Sequence, residues 1–137
     1  MQADIRLIQR DDGRWEWILV PANNNSLAQG IVVSAITFKS RADAKIDAEQ
    51  HVAAVVGKDG RTVRSEEELR HLIQLVASEC FECQDTFFGD IYWHERDEMG
   101  CNWSMSTVSG QDWSACLDYL QPVAIRLRQT YNIPDKG

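Results

Sequence analysis

The chain of 137 residues is 44% hydrophobic and 26% charged, proportions typical of a globular protein that exclude an intrinsically disordered one. Its 14 Lys and Arg residues against 21 Asp and Glu leave a net charge of −7, which argues against a nucleic-acid partner because phosphate binding needs clustered basic residues. No segment approaches the ~20 apolar residues of a membrane helix, and the first residues lack the pattern of a signal peptide, so we expect no membrane partner and a cytoplasmic location.

The first part of the chain predicts three strands. Residues 5–8 and 15–20 flank Asp11-Asp12-Gly13, a turn signal that indicates a β-hairpin. Residues 31–38 are rich in β-branched side chains and predict the third strand.

A helix is predicted after the third strand. Ser40 is its expected N-cap, with Asp43 in the capping-box position, and Gly57 is a typical helix stop. The residues at helical spacing that we expect to face the core are Ala42, Ile46, Glu49, Val52 and Val56.

A second helix follows the turn at residues 57–60, which is the best candidate for a boundary between subdomains. Ser65 and Glu68 form a capping box at its start. Its apolar stripe is Leu69, Leu72, Ile73, Val76, Cys80 and Cys83.

The last part of the chain predicts a hairpin and a helix. Strands over residues 87–95 and 101–108 flank a charged turn, and alternation places the polar residues of both strands on one face. The helix covers about residues 111–131, and the chain from Ile133 onward is expected to be a frayed tail.

These elements predict an α+β fold in the order β-β-β-α-α-β-β-α, with antiparallel sheets that carry helices on one side. We expect two subdomains. The first is a β-β-β-α unit over residues 1–58, and the second is an α-β-β-α unit over residues 61–137.

Residues 4–56 resemble the YegP-like small bacterial domains. The residues that carry the resemblance are Trp15-Glu16-Trp17-Ile18-Leu19, Gly30-Ile31-Val32-Val33-Ser34 and Phe38-Lys39-Ser40-Arg41-Ala42-Asp43-Ala44. The resemblance implies a β-β-β-α fold and a bacterial source. It implies no activity, because the family has no well-defined one.

The cysteine pattern favours a role in core packing over a metal-binding or redox role. Without an export signal, the four cysteines are expected to be reduced thiols, and Cys80 and Cys83 continue an apolar stripe as small hydrophobic residues. A zinc site would use Cys80, Cys83, His94 and Cys101, and a redox role of the C-x-x-C pair is a further alternative. We therefore expect no cofactor and no bound metal.

The hairpin turn offers a second chemical hypothesis. A hydrolase could use His94 with Cys101 as a base and nucleophile, or the neighbouring acids could bind a hard cation. Charged residues at a turn also keep a hairpin soluble, and we favour that interpretation, so an enzyme is the less favoured class.

The acids of the second half are concentrated. Residues 66–98 contain ten acids and only two basic residues, Arg70 and Arg96, in a region rich in aromatic side chains. Aromatics rimmed by acids are typical of a surface that binds a basic protein, although a core of aromatics with solvated acids gives the same pattern.

The sequence therefore predicts a non-enzymatic protein-interaction module with a basic protein partner. The alternatives are an acidic escort chaperone of the secretion type and a zinc- or thiol-dependent enzyme. The expected binding residues lie on the polar face and at the tip of the hairpin: Tyr92, His94, Glu95, Asp97, Glu98, Asn102 and Ser104.

A homodimer is also predicted. Trp15, Trp17 and Leu19 share one strand face, and together with the aromatic hairpin they offer more apolar surface than one short sheet needs.

Overall fold

The computed structural model describes residues 3–21, 32–84, 86–87, 90–106 and 109–135. The fold is α+β, with antiparallel strands and, in the described residues, three α-helices. The chain divides into two compact units, residues 1–54 and 55–137. The turn at residues 57–60, which was predicted to separate the subdomains, therefore lies inside the second unit.

The first unit contains a three-stranded antiparallel sheet and one helix. Its strands are β1 (Ala3–Gln9), β2 (Trp15–Pro21) and β3 (Val32–Val33), in that spatial order, and its helix is α1 (Arg41–Ala53). Gly13 closes the predicted β1–β2 turn with a φ of 85°, a left-handed conformation that glycine adopts without steric cost.

β3 is shorter than the strand predicted over residues 31–38, of which residue 31 lies outside the described ranges. The chain leaves the sheet at Ser34, whose hydroxyl accepts a hydrogen bond from the Trp17 N–H at 3.3 Å. Contact with β2 resumes at Phe38, which forms an isolated antiparallel bridge with Trp15. The predicted third strand therefore contacts β2 at two short, separate places.

The start of α1 is confirmed and its predicted end is wrong. The Ser40 hydroxyl accepts a hydrogen bond from the Asp43 N–H at 3.1 Å, as the capping box requires. The helix ends at Ala53, because Ala54 is extended (φ −74°, ψ 153°) and the chain enters a strand before it reaches Gly57.

The predicted core face of α1 is also wrong. Ile46 and Val52 are 49% and 46% exposed, whereas Ala44, Asp47 and Ala48 are buried. Small alanines let the helix approach the sheet closely, and the burial of Asp47 has a specific cause in the sheet beneath it.

That cause is Trp17, which is fully buried. Its indole N–H donates a hydrogen bond to the Asp47 carboxylate at 2.8 Å, and its ring lies 4.9 Å from the imidazole of His51. A buried indole N–H needs an acceptor, so the helix presents an acid to the core where hydropathy alone would place an aliphatic side chain.

The second unit contains short strands in three sheets. β4 (Val55–Val56), β5 (Thr62–Val63) and β10 (Tyr131–Asn132) form one sheet in the order β10-β5-β4. β6 (Thr86–Phe87) pairs with β9 (Ser109–Gly110), and β7 (Ile91–Trp93) pairs with β8 (Trp103–Met105). All pairs are antiparallel except β5 with β10, which is parallel.

Two helices pack in the second unit, α2 (Glu66–Ala77) and α3 (Trp113–Thr130). Ser65 caps α2 as predicted, accepting a hydrogen bond from the Glu68 N–H at 3.1 Å. The predicted stripe residues Leu69, Leu72, Ile73 and Val76 are buried. Cys80 and Cys83 are buried too, but they lie beyond the end of α2 and do not continue its stripe as predicted. No helix in the described ranges is long and apolar enough to cross a membrane.

The predicted frayed tail is wrong. After α3 the chain adds β10 beside β5, and Ile133 is 1% exposed. Tyr131 is equally buried, and the guanidinium of Arg64 lies 5.1 Å from the centre of its ring. The end of the chain is thus part of the core of the second unit, because a parallel partner is provided by a strand about seventy residues earlier.

We expect the Trp17–Asp47 hydrogen bond to stabilise the first unit. Asp47→Ala leaves a buried N–H without this acceptor, which should lower the free energy of unfolding by about 1–3 kcal/mol. Asp47→Asn keeps an acceptor oxygen and should cost less. Urea denaturation followed by circular dichroism measures both, with Glu49→Ala on the exposed face of α1 as the control. Equal effects of Asp47→Ala and Glu49→Ala would contradict the prediction.

Candidate functional site

The β7–β8 hairpin has the predicted register. Tyr92 pairs with Ser104 and Trp93 with Trp103, so the polar and apolar residues alternate as expected. Ile91 and Trp103 are buried on the apolar face. Residues 88–89 and 107–108 of the predicted strands lie outside the described ranges.

Three of the predicted binding residues cluster on the polar face. The His94 Nε2 lies 2.9 Å from the Ser104 hydroxyl oxygen, and its Nδ1 donates to the Glu95 carbonyl oxygen at 2.6 Å. In neutral histidine the hydroxyl then donates to Nε2, so both ring nitrogens have partners. Tyr92 is 48% exposed and its ring is 6.1 Å from the imidazole in an edge-on arrangement.

Glu95 and Glu98 lie exposed at the hairpin turn. Neither carboxylate has a hydrogen bond or ion pair to another residue within the described part of the chain. They carry net negative charge next to the exposed Tyr92 and the half-buried His94.

Asp97, unlike Glu95 and Glu98, is engaged by hydrogen bonds and an ion pair within the fold. Its carboxylate accepts hydrogen bonds from the N–H groups of Met99 and Cys101 at 2.9 and 3.1 Å, and it pairs with Arg128 of α3 at 2.5 Å. Burial opposes ionisation, but the two N–H groups and the Arg128 charge hold the pKa of Asp97 below its usual range. The carboxylate fixes the turn and is already paired.

Asn102 is fully buried and does not project from the polar face as predicted. Its amide nitrogen donates to the Ile133 carbonyl oxygen at 2.7 Å, and its amide oxygen accepts from the Ile133 N–H at 2.9 Å. Strand alternation placed it on the polar face, but this reciprocal pairing with the end of the chain covers it.

A second buried asparagine completes this contact. Asn132 accepts hydrogen bonds from the Asn102 N–H at 3.2 Å and from Arg61 at 3.1 Å. Its amide nitrogen donates to the Gly100 carbonyl at 3.1 Å and to Asp59 at 3.3 Å. The two asparagines thus join the hairpin, β10 and the β4–β5 turn.

An ion-pair network lies against the asparagine pair. Arg96 contacts Asp59 at 3.1 Å and Asp135 at 3.0 Å. The pKa of Asp135 is lowered first by Arg96 and then by Asn102, whereas that of Asp59 is lowered first by the backbone N–H of Arg61 and then by Arg96. Both carboxylates are therefore held in the ionised form.

The network borders an open cleft of about 520 Å³. Its apolar lining is Val56, Val63 and Ile133, and its charged lining is Lys58, Asp59, Arg96 and Asp135, with Gly57 between. Sequence reasoning assigned Arg96 and its neighbours to a solvated turn and missed the cleft, because the residues that line it come from three separate parts of the chain.

The cysteines depart from the expected reduced state. Cys83 forms a disulfide with Cys116, which links the short 3₁₀ helix Phe81–Cys83 to α3. Cys80 and Cys101 are free and buried. The Cys80 thiol donates to Glu82 at 3.2 Å, and burial together with this hydrogen bond raises its pKa, so it is a poor nucleophile near neutral pH.

The alternative zinc site is wrong. The Cys83 sulfur is committed to the disulfide, and the His94 ring nitrogens are bonded to Ser104 and Glu95. Among the described residues no three His, Cys, Asp or Glu side chains come together to hold a metal ion. The His94–Cys101 hydrolase pair fails too, because the buried Cys101 thiol donates to the Trp103 carbonyl oxygen.

Comparison of the chain with protein-family models, with curated proteins and with solved structures finds no match. The resemblance of residues 4–56 to YegP-like domains thus stays a prediction.

The two carboxylates beside Arg96 should respond differently to its removal. In Arg96→Met, the pKa of Asp135 should rise more than that of Asp59, because Asp59 keeps the Arg61 N–H as its largest source of stabilisation. Carboxyl-carbon NMR titration measures both values. Equal increases in the pKa values of Asp59 and Asp135 would contradict this prediction.

The same substitution should change acid stability. A lowered pKa in the folded state contributes stability above the unfolded value of about 3.9, and that contribution is lost as the pH falls through the folded value. Arg96→Met should therefore show a smaller loss of melting temperature below about pH 4 than the wild type. The control is Arg126→Met on the exposed face of α3, which should lose as much melting temperature in acid as the wild type.

The disulfide predicts a defined thiol count and a stability effect. Denatured protein should titrate with two thiols before reduction and four afterwards. Replacing Cys83 and Cys116 together with Ser should lower the free energy of unfolding by about 3 kcal/mol, because the bond closes a loop of 33 residues in the unfolded chain. Four reactive thiols in unreduced protein would contradict the bond.

Proposed function

We propose that the second unit is a non-enzymatic protein-interaction module that binds a basic segment of another protein through the β7–β8 hairpin. The observation that supports this most is the position of exposed Tyr92 on a hairpin whose turn carries Glu95 and Glu98, two carboxylates that have no partner among the described residues. Aromatic anchors supply binding energy, and unpaired charges steer association. The proposed contact residues are therefore Tyr92, His94, Glu95, Glu98 and Ser104.

The rigidity of the hairpin supports a recognition role. Trp103 is fully buried behind it and donates its indole N–H to the Tyr131 carbonyl oxygen at 2.9 Å. Asp97 ties the turn to Arg128 of α3. A preorganised surface loses little conformational entropy on binding, which raises the affinity available from a small contact area.

The ion pairs formed by nearby acids support the hairpin turn as the place where a basic partner binds. Glu68 pairs with Arg64, Asp90 with Arg70 and Asp97 with Arg128, so these carboxylates have internal cations. Glu95 and Glu98 keep an uncompensated charge, which gives a basic partner a local target.

The cytoplasmic location and the homodimer stay predictions from the sequence. The Cys83–Cys116 bond argues against a cytoplasmic location, because disulfides persist mainly in oxidising compartments. The thiol titration tests whether this bond is present. The apolar surfaces that suggested a dimer are largely used within their units, because Trp17 and Trp103 are fully buried and Leu19 is 8% exposed.

Charge reversal tests the proposed partner. The double variant Glu95→Lys, Glu98→Lys should change the free energy of unfolding by no more than about 1 kcal/mol, because both side chains are exposed. It should slow association with a basic partner about tenfold and remove most of the salt dependence of the association rate. Capture of partners from a native lysate, followed by kinetics with each purified partner, measures these effects.

The matched control is Asp11→Lys, Glu49→Lys, which makes the same charge change at exposed positions of the first unit. Tyr92→Ser should weaken binding through faster dissociation, with little change in association rate. If both double variants slow association equally, net charge and not the hairpin steers the partner, and the proposal is wrong.

A further inference from the structure

We infer that β1 of the first unit pairs edge to edge with β1 of a second copy of this chain, so that two three-stranded sheets join into one continuous antiparallel sheet. This surface is separate from the hairpin face proposed above. It is also separate from the apolar faces that first suggested a homodimer, because it consists of backbone groups at the rim of the sheet.

β1 is a long and regular edge strand. It covers Ala3–Gln9 and pairs with β2 residue by residue over its whole length, and no other described strand lies beside it. It contains no proline, and β3 at the other edge of the sheet has only two residues. A long edge that keeps unpaired backbone groups is a template for a further strand.

The hydrogen bonds at the hairpin turn show which backbone groups of β1 point outward. The Arg10 N–H donates to the Arg14 carbonyl oxygen at 2.7 Å, so these residues form a hydrogen-bonded pair. Pairs with and without mutual hydrogen bonds alternate along an antiparallel ladder. The β1 residues whose N–H and C=O point away from β2 are therefore Ile5, Leu7 and Gln9.

The other side of β2 leads to the same assignment. Trp15, which lies opposite Gln9, exchanges hydrogen bonds with Phe38 in both directions at 2.7 Å, so its backbone groups face away from β1. Gln9, and by alternation Leu7 and Ile5, therefore do not bond to β2. No backbone hydrogen bond from elsewhere in the described chain reaches these three residues.

The charged side chains along this edge form only exposed ion pairs. Asp4 lies 3.2 Å from Arg6, and Arg10 lies 3.7 Å from Asp12, with all four side chains about half exposed or more. Exposed pairs of this kind contribute little to stability, so these side chains can exchange partners at low cost.

The strand is complementary to itself in one register. When two copies pair antiparallel about Leu7, each outward residue meets another, because Leu7 lies opposite Leu7 and Ile5 lies opposite Gln9. Asp4 of each copy then lies opposite Arg10 of the other, at a position without mutual hydrogen bonds, where facing side chains are closest. The second copy thus supplies both the backbone partners and the opposite charges.

Other registers fit less well. Pairing about Arg6 sets two guanidinium groups opposite each other, and like charges at such a position are destabilising. Pairing about Ile5 sets Asp4 opposite Arg6, but it leaves Gln9 beyond the end of the partner strand. Charge and length together therefore select the register about Leu7.

The same pairing continues the apolar face that lies under α1. Ile5 and Leu7 lie on the face of the sheet that Trp17 and Leu19 share, and both are half-buried. Antiparallel pairing of two identical edges brings equivalent faces to the same side of the joined sheet. The exposed parts of Ile5 and Leu7 then contact the second copy, which adds hydrophobic contact to the backbone hydrogen bonds.

Sedimentation equilibrium with the full chain tests the inference. We expect a monomer–dimer equilibrium, and in isotope-labelled protein the amide resonances of Ile5, Leu7 and Gln9 should shift as the dimer forms, while that of Val33 should not. A particle of one chain mass at ~1 mM protein, where even a weak complex forms, would overturn the inference. A dimer that leaves the three β1 resonances unshifted would also overturn it, because another surface would then join the copies.

Proline substitutions distinguish the two edges of the sheet. Gln9→Pro removes an N–H that points away from β2, so it spares the β1–β2 ladder but removes a donor to the Ile5 carbonyl oxygen of the second copy. It should weaken the dimer about tenfold, because two-fold symmetry removes this bond twice. The matched control is Val33→Pro, which removes an outward N–H from β3 and should leave the dissociation constant unchanged. Equal effects of the two variants would contradict pairing through β1.

Charge exchange tests the register without removing any backbone hydrogen bond. Asp4→Arg sets like charges opposite each other at both ends of the interface and should weaken the dimer about tenfold. Adding Arg10→Asp restores opposite charges and should return the dissociation constant to near the wild-type value. Glu49→Arg, the same charge change on the exposed face of α1, should leave the constant unchanged. A double variant that dimerises no better than Asp4→Arg alone would refute the pairing about Leu7.

Discussion

The second unit depends on the contact between Asn102 and Asn132. Each asparagine is buried, and each is satisfied by the segment that the other belongs to: the turn of the hairpin on one side and β10 on the other. A buried amide without partners costs free energy, so the two segments must meet in one register for the pair to be stable. Hydrophobic contact alone tolerates small displacements, whereas this set of hydrogen bonds does not.

The register of the Asn102–Asn132 contact determines how the charged side chains around it are arranged. Because Asn102 and Asn132 also reach Asp135 and Asp59, they set the two carboxylates on either side of Arg96. The cleft lining then holds two cations, Lys58 and Arg96, and two carboxylates, Asp59 and Asp135. The same register holds the hairpin turn, so the exposed Glu95 and Glu98 project from a fixed support.

The sequence predicted what local signals determine. The caps at Ser40 and Ser65 and the part of the α2 stripe from Leu69 to Val76 depend on residues within a few turns of one another, and all three are confirmed. β4, β5 and β10 were missed, since strands of two residues carry no periodicity and β10 finds its partner far away in the chain. The disulfide was missed for the same reason, because the proximity of Cys83 to Cys116 depends on helix packing.

The errors in the candidate site have a common physical origin. Alternation correctly placed Tyr92 and Ser104 on the polar face, but it classed Asn102 with them because it treats every polar side chain as seeking water. The same assumption failed for Asp47, which meets the Trp17 indole in the core of the first unit. A polar side chain can be buried wherever another segment supplies its hydrogen bonds, and the identity of that segment is tertiary information. Burial therefore separates the polar residues that build this protein, Asp47, Asn102 and Asn132, from those that remain available to a partner.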